Sequence, residues 1–305
     1  MASIDVGKVA PLALGGNVFG WTADEAVSFR LMDGFVAAGG QMIDTADSYS
    51  AWVPGHVGGE SETVIGKWLK SSRKRDEVVI ASKVGFLEGL APEVVAKACD
   101  ASLKRLGTDI DLYYLHTDDQ KVPLADSLGA FDALVKAGKV RAIGLSNFTP
   151  GRIDEVMATC EAEGLTKPVA LQPWYNLVER ARYEDELEAC VRKHDLAVFT
   201  YYSIANGFLA GKYRSKDDLS KSPRGLRNIA YLEGRGPKVL EAMDAIAGET
   251  GAPLATIALA WLGSRPTVTA PIASATSLAQ LSELTASLTL ELSEAQLAAL
   301  DAASA

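Results

Sequence analysis

The sequence predicts an α/β chain folded as a (β/α)8 TIM barrel, with extra helices between strands seven and eight and at the C-terminal end. Three observations predict it. Short β-rich runs alternate with amphipathic helical segments along all 305 residues. Several runs are continuously apolar and β-branched, as suits strands buried on both faces of a parallel sheet. Eight strand-then-helix units in a chain of this length fit a closed barrel better than an open sheet. The runner-up, a doubly wound dinucleotide-binding sheet, wants GxGxxG directly after a strand, and the sequence contains none. The chain, 1–305, reads as a single domain without a linker.

The elements follow in order. Strand one is expected over Pro11–Gly15, and the helix after it, Ala23–Ala38, opens at the cap candidate Thr22 and stops at Gly39–Gly40. Strand two covers Gln41–Ala46 and is followed by helix Glu60–Lys70. Strand three, Val78–Val84, precedes Pro92–Arg105, a helix with proline at its start and Gly107 past its end, the asymmetry that helix termini favour. Strand four is Ile110–His116, with helix Leu124–Lys136. Strand five is Val140–Asn147, with helix Pro150–Glu163. Strand six is Val169–Asn176, with helix Tyr183–His194. Strand seven, Val198–Ser203, leads to two helices, Pro237–Glu249 and Pro253–Leu262. Strand eight, Val268–Ala273, is followed by Ser277–Leu288. The last helix, Ser293–Ala303, opens with a capping box of Ser293 and Gln296.

Composition sets outer bounds. Hydrophobic residues make up 48% and charged residues 23%, which supplies a large core and excludes a disordered or collagen-like chain. A net charge of −9 disfavours a nucleic-acid surface. The cysteines, Cys99, Cys160 and Cys190, are too few for a disulfide framework and read as buried thiols in a reducing compartment. With no CxxC, no HExxH and three histidines, no metal site is expected. Met1–Ala10 lacks a basic start and an apolar run, and Pro253–Leu262 is about half the length a membrane span needs. A cytoplasmic protein with no membrane partner is therefore expected.

The informative pattern is where polar residues fall. Asp44 lies near the end of strand two, Lys83 near the end of strand three, and His116 closes strand four. Ser146 and Asn147 close strand five, Gln172 lies on strand six and Tyr201 on strand seven. In a barrel these ends share one mouth, the usual place for an active site. Lys83 follows an apolar run. Burial would lower its pKa, and Asp44 would keep it charged. A charged lysine beside a tyrosine stabilises the phenolate, and Tyr49 stands in the loop just after Asp44. His116 is placed to orient a carbonyl. The set suits proton transfer at an oxygen, without a metal and without an obvious nucleophile.

The sequence resembles the aldo-keto reductases over nearly its whole length. The segments that carry the resemblance are MIDTADSY at 42–49, GGESETVIGKWL at 58–69, VIASKVG at 79–85 and DLYYLHTDD at 111–119. GKVRAIGLSNF at 138–148, LQPWYNL at 171–177 and GFLAGKY at 207–213 complete the series in order. The resemblance implies a barrel that binds NAD(P)H and reduces a carbonyl. Asp44, Tyr49, Lys83 and His116 match the family's catalytic four, with Tyr49 as general acid, Lys83 lowering its pKa, Asp44 holding Lys83 and His116 orienting the substrate. Ser146, Asn147 and Gln172 match the residues that hold the nicotinamide carboxamide, and Tyr201 matches the aromatic stacked under the ring. Ser203, Leu209, Gly211 and Lys212 fall in the segment over the pyrophosphate. Ser274, Thr276 and Gln280 fall at the adenosine end.

Two departures bear on the coenzyme. Tyr202 and Ser203 stand where relatives carry a small hydroxyl residue and a proline, and Ser274-Ala275-Thr276 replaces a glycine followed by a basic residue. Thr276 can hydrogen-bond a phosphate but cannot neutralise it. NADPH is the first choice, with NADH or dual use the alternative; Arg214, Arg224 and Arg227 are candidates for the missing charge. Trp21, Trp52 and Trp174 suggest an aromatic pocket for a ring or a sugar face, so the expected substrate is a small carbonyl or sugar-like molecule. Two other function classes stay open. One is a cofactor-binding sensor like the channel-associated β subunits that resemble this family. The other is a metal-free barrel aldolase or isomerase using Lys83 as a Schiff-base nucleophile, against which the Asp44 pairing argues. The oligomeric state is not readable.

Overall fold

The computed structural model describes residues 5–221 and 225–305. Eight strands form a closed parallel barrel in chain order: β1 Ala13–Gly15, β2 Met42–Asp44, β3 Val79–Val84, β4 Ile110–Leu115, β5 Val140–Ser146, β6 Ala170–Gln172, β7 Ala197–Thr200 and β8 Ala270–Ala273. β1 pairs with both β2 and β8, so no strand edge is left open. Every strand position from β2 to β4 is buried, which explains the unbroken apolar runs in the sequence.

The barrel interior is filled mainly by Ala13, Met42, Val79, Ala81, Leu112, Tyr114, Ala170, Phe199, Ala270 and Ile272. Small residues make room for one large one. A Cβ on Gly144 would stand 2.4 Å from the Tyr114 ring, so the ring occupies space that only glycine leaves free. The register then sets the mouth. Lys83 lies beside Tyr114, and Ser146 beside Gln172, while Asp44 ends its strand next to Gly15 and Ala81.

The surrounding helices are α1 Glu25–Ala37, α2 Glu60–Ser72, α3 Pro92–Leu106, α4 Leu124–Lys136, α5 Pro150–Glu163, α6 Ala181–Glu184 and α7 Leu187–His194. After β7 come α8 Ile229–Glu233, α9 Gly236–Thr250 and α10 Leu254–Gly263, and after β8 come α11 Leu278–Thr285 and α12 Glu294–Ser304. The long apolar stretch at the end of the β7–β8 crossover is α10, buried from Ala255 to Leu262. Among the described residues no single helix is long and apolar enough to cross a membrane. Gly107 closes α3 at φ 71°, and the capping box of Ser293 and Gln296 opens α12.

Several expectations change: strands six and seven stop early, at Gln172 and Thr200, and a third helix, α8, joins the two expected between β7 and β8. Asp24, not Thr22, caps α1, because its carboxylate accepts the Val27 N–H at 2.8 Å. Tyr183–His194 is two helices rather than one. Glu184, at the end of α6, is held by the Tyr175 hydroxyl and by Arg180, and Arg180 is itself tied to α12 at Asp301 and Ser304. The first turn is thereby anchored in one direction and α7 starts afresh at Leu187. Ser277–Leu288 remains α-helical only to Thr285 and finishes as a 3-10 turn.

Candidate active site

Lys83 is the centre of the mouth. Its side chain is fully buried, and its ammonium donates to Asp44 Oδ2 at 2.7 Å, the Thr45 carbonyl at 2.7 Å and the Tyr49 hydroxyl at 3.2 Å. Three acceptors satisfy its three donors, which is what allows a charge to sit at a depth where water cannot reach it. Asp44 is fixed in turn by Gln172 Nε2, which donates to Oδ1 at 2.9 Å. Tyr49 hangs from the loop after β2, held through its carbonyl by the Ser61 N–H at the start of α2. The His116 ring lies 6.1 Å from the Tyr49 ring, edge to face. Asp44, Tyr49, Lys83 and His116, expected on separate elements, are therefore one cluster.

A second group continues around the rim. Ser146 Oγ donates to the Gln172 carbonyl at 3.1 Å. Asn147, in the left-handed region at φ 60°, turns its amide back across the mouth and donates to the His116 carbonyl at 2.8 Å. The Tyr201 hydroxyl donates to Asn147 Oδ1 at 2.7 Å. Strands four to seven are thus linked at their C-terminal ends by polar side chains.

The model of the Aldo/keto reductase family matches residues 11–305. The chain belongs to the aldo-keto reductase family. It is 34% identical to an uncharacterized oxidoreductase, YrpG, of Bacillus subtilis over 280 residues, covering 87% of this chain and 83% of that one. It is 31% identical to Protein tas of Escherichia coli, covering 97% and 94% of the two chains. It is 29% identical to norsolorinic acid reductase B of Aspergillus parasiticus, covering 87% and 73%.

The electrostatics of this aldo-keto reductase mouth are specific. Burial acts to lower the Lys83 pKa, but Asp44 and Tyr49 outweigh it and hold the ammonium above its ordinary value. Burial pushes the Tyr49 hydroxyl up, and the pull of Lys83 reverses only part of that rise. Lys83 does act to lower the Tyr49 pKa, by its charge and its hydrogen bond, but desolvation of the phenolate is the larger effect. Burial, followed by the charge on Lys83, drives the His116 imidazole down to about 3, so the ring is neutral at ordinary pH. Its Nδ1 is buried without a hydrogen-bond partner.

The aromatic residues separate into two groups. Trp52 lies edge-on to Tyr49, with ring centres 5.7 Å apart, and to Trp21 at 5.8 Å. Phe86 packs on the other side, 5.1 Å from His116. Trp174 belongs elsewhere: it packs on Tyr202 at 4.3 Å and Tyr201 at 5.8 Å, with the Arg182 guanidinium 4.7 Å from its ring centre. Trp21 and Trp52 therefore flank Tyr49, whereas Trp174 belongs to the shelf around Tyr201. Phe86 is the aromatic neighbour of His116.

The segment after β7 forms a tight loop, with Tyr202, Asn206, Gly207 and Gly211 all at positive φ. Ser203 is buried and donates to the Thr200 carbonyl at 2.9 Å, so its hydroxyl is spent within the loop. Leu209 is buried and anchors the loop in the core, while the Lys212 ammonium lies 5.6 Å from the Tyr213 ring centre. At the end of β8, Ser274 donates to Asn17 Oδ1 at 2.7 Å, and Gln280 reaches back to accept from the Thr276 N–H at 2.8 Å. Arg214 is bound bidentately to Asp244 at 2.6 and 2.7 Å, so its charge is already matched. Arg227 is exposed, and Arg224 lies outside the described residues. Away from the strand ends, Asp154, Cys190 and His194 bring ligand-type atoms within 4.8 Å of one another on α5 and α7. Asp154 Oδ1 is already taken there by Lys193 at 2.8 Å and His194 at 2.6 Å.

Proposed function

We propose that this protein is an NAD(P)H-dependent reductase of aldehydes or ketones in which Tyr49 is the general acid. The observation that carries the reading is the chain Gln172–Asp44–Lys83–Tyr49, buried at its base and opening at the tyrosine hydroxyl beside His116. The donor set also suits a nicotinamide coenzyme. Amide and hydroxyl groups of Ser146, Asn147 and Gln172 meet an aromatic shelf at Tyr201, and a loop of positive φ follows. A bound reduced nicotinamide supplies hydride to the carbonyl carbon.

The protein side chains handle the proton and the charge. Tyr49, kept protonated by its buried setting, gives its proton to the carbonyl oxygen. The phenolate left behind lies 3.2 Å from the Lys83 ammonium, where charge is stabilised in a low-dielectric site. Asp44 keeps Lys83 charged and Gln172 keeps Asp44 in place. Neutral His116 offers a hydrogen bond that orients the carbonyl without competing for the proton. Alcohol oxidation would use Tyr49 in the opposite sense. Trp21 and Trp52 on one side and Phe86 on the other favour a flat ring beside the carbonyl, with a sugar face as the alternative. NADPH is favoured over NADH on the family's habit alone, since Thr276 brings no positive charge.

Initial rates with both coenzymes and a panel of aromatic aldehydes, ketones and sugars test this. Tyr49→Phe should bind coenzyme as wild type does and lose about 10²–10⁴ in turnover. Wild-type turnover in that variant would remove Tyr49 from the role. Tight coenzyme binding with no turnover on any carbonyl would favour a sensor.

A further inference from the structure

Behind Lys83 lies a second buried ionic cluster, on the outer face of the same strand. Ser82, the neighbour of Lys83 on β3, donates to Glu62 Oε1 at 2.5 Å. Glu62 is fully buried on α2, and Arg105 of α3 closes on its Oε2 at 2.6 and 2.7 Å. Asp47, in the loop that ends in Tyr49, faces the same cluster. Its Oδ1 is buried without a hydrogen-bond partner, and its N–H donates to the Lys83 carbonyl at 3.1 Å.

The loop is built tightly over these groups. A Cβ on Gly58 would stand 2.7 Å from the Asp47 carbonyl, and one on Gly59 would stand 2.4 Å from Arg105 Nε. Glycine at positive φ is needed at both positions, so the return limb of the loop rests on Asp47 and Arg105. The groups that face Asp47 are Glu62 from α2, Arg105 from α3, Lys83 from β3 and the Tyr113 ring from β4. One guanidinium thus serves two buried carboxyls.

We propose that Asp47 is a positioning residue for Tyr49: its carboxyl, with a buried unpartnered oxygen under the loop and a backbone N–H on the Lys83 carbonyl, sets how closely the Tyr49 hydroxyl approaches Lys83. The inference rests on the role of Tyr49 given above. Burial, reinforced by Glu62, holds the Asp47 carboxyl up at about 7. While protonated it adds no charge and the loop stays seated. Once ionised it faces Glu62 and must share Arg105 with it, and the carboxylate gains by moving toward water. Two residues on, Tyr49 moves with it. The Tyr49 contact is the longest of the three that Lys83 makes, and therefore the one most readily opened.

The test is the pH dependence of kcat for an aromatic aldehyde at saturating coenzyme, in wild type, Asp47→Asn and Glu62→Gln. Wild-type kcat should fall several-fold as the pH rises through neutrality, with KM little changed. Asp47→Asn should hold the low-pH kcat across that range, and Glu62→Gln should move the fall to lower pH. Ionisation of Tyr49, read as the ultraviolet difference between each protein and its Tyr49→Phe counterpart, should occur at lower pH in Asp47→Asn than in wild type. An unchanged inflection and an unchanged Tyr49 ionisation in Asp47→Asn would overturn the proposal. If wild type reduces no carbonyl, the catalytic reading fails on that result, and the Tyr49 ionisation still decides the positioning role.

Discussion

Replacing Asp44 by asparagine removes the one negative charge that Lys83 touches, while keeping size and shape. The pair lies 2.7 Å apart, with Lys83 fully buried. At an effective dielectric of about 20, two unit charges at this distance attract by roughly 6 kcal/mol before desolvation is counted. Removing one partner of such a pair costs about 3–5 kcal/mol, because the other charge is left without compensation. The asparagine amide also points a donor at Gln172 Nε2 or at Lys83, so one of two contacts is lost whichever way it turns. Unfolding entropy scales with length, and for 305 residues it is about 0.6 kcal/mol per degree, so Tm should fall by roughly 5–8 °C at pH 7. The pH dependence gives a sharper signature. Without Asp44, burial is opposed only by Tyr49, and the Lys83 pKa should be lowered in the folded state. The unfolded chain then binds more protons than the folded one, and stability rises with pH. The deficit relative to wild type should therefore narrow as the pH rises from neutrality toward the ordinary lysine value of 10.5. Thermal unfolding followed by circular dichroism across that range is the assay. A Tm within a degree of wild type at pH 7, or a deficit that does not change with pH, would refute the reasoning.

Two further expectations follow from the same geometry. His116, depressed to about 3 when folded against 6.5 when unfolded, contributes stability that is present above pH 6.5 and lost as the pH falls toward 3. Its ring-proton NMR signals should keep their neutral positions down to about pH 5, and a shift centred near pH 6.5 would contradict the burial argument. Gly144→Ala should destabilise by about 1–3 kcal/mol, since its new Cβ would meet the Tyr114 ring at 2.4 Å inside a filled barrel. Urea unfolding measures this, and an unchanged midpoint would show that Tyr114 has room to yield.

Much of this was legible in the sequence because the barrel reports itself through strand ends. Asp44, Lys83, His116, Ser146 and Gln172 all interrupt apolar runs near their C-terminal ends, and the register brings them to one rim. What stayed hidden depends on contacts between distant elements. The Thr45 carbonyl that completes the coordination of Lys83 carries no side-chain signal. Glu62 sits within a quoted motif, yet its burial against Ser82 and Arg105 follows only from how α2 and α3 pack on β3. The pull of Lys83 on the Tyr49 hydroxyl can be read from residue types, whereas the depth of burial that opposes it cannot. Trp174 was grouped with Trp21 and Trp52 on its place in the chain, although it packs on Tyr202 at the far side of the rim. Arg214 looked available because nothing in the sequence announces Asp244, thirty residues on, as its partner.

The most direct test is to follow the hydrogen itself. Reduced coenzyme deuterated at C4 of the nicotinamide, on one face and then on the other, would be used to reduce an aromatic aldehyde, with the alcohol analysed by mass spectrometry. A rim that holds the carboxamide through Ser146, Asn147 and Gln172 presents a single ring face, so deuterium should reach the alcohol carbon from one label only. The transfer should slow by about 10²–10⁴ in Tyr49→Phe, with the same label preference. Deuterium delivered equally from both faces, or an alcohol formed without any label, would contradict the assignment of this mouth as a site of oriented hydride transfer.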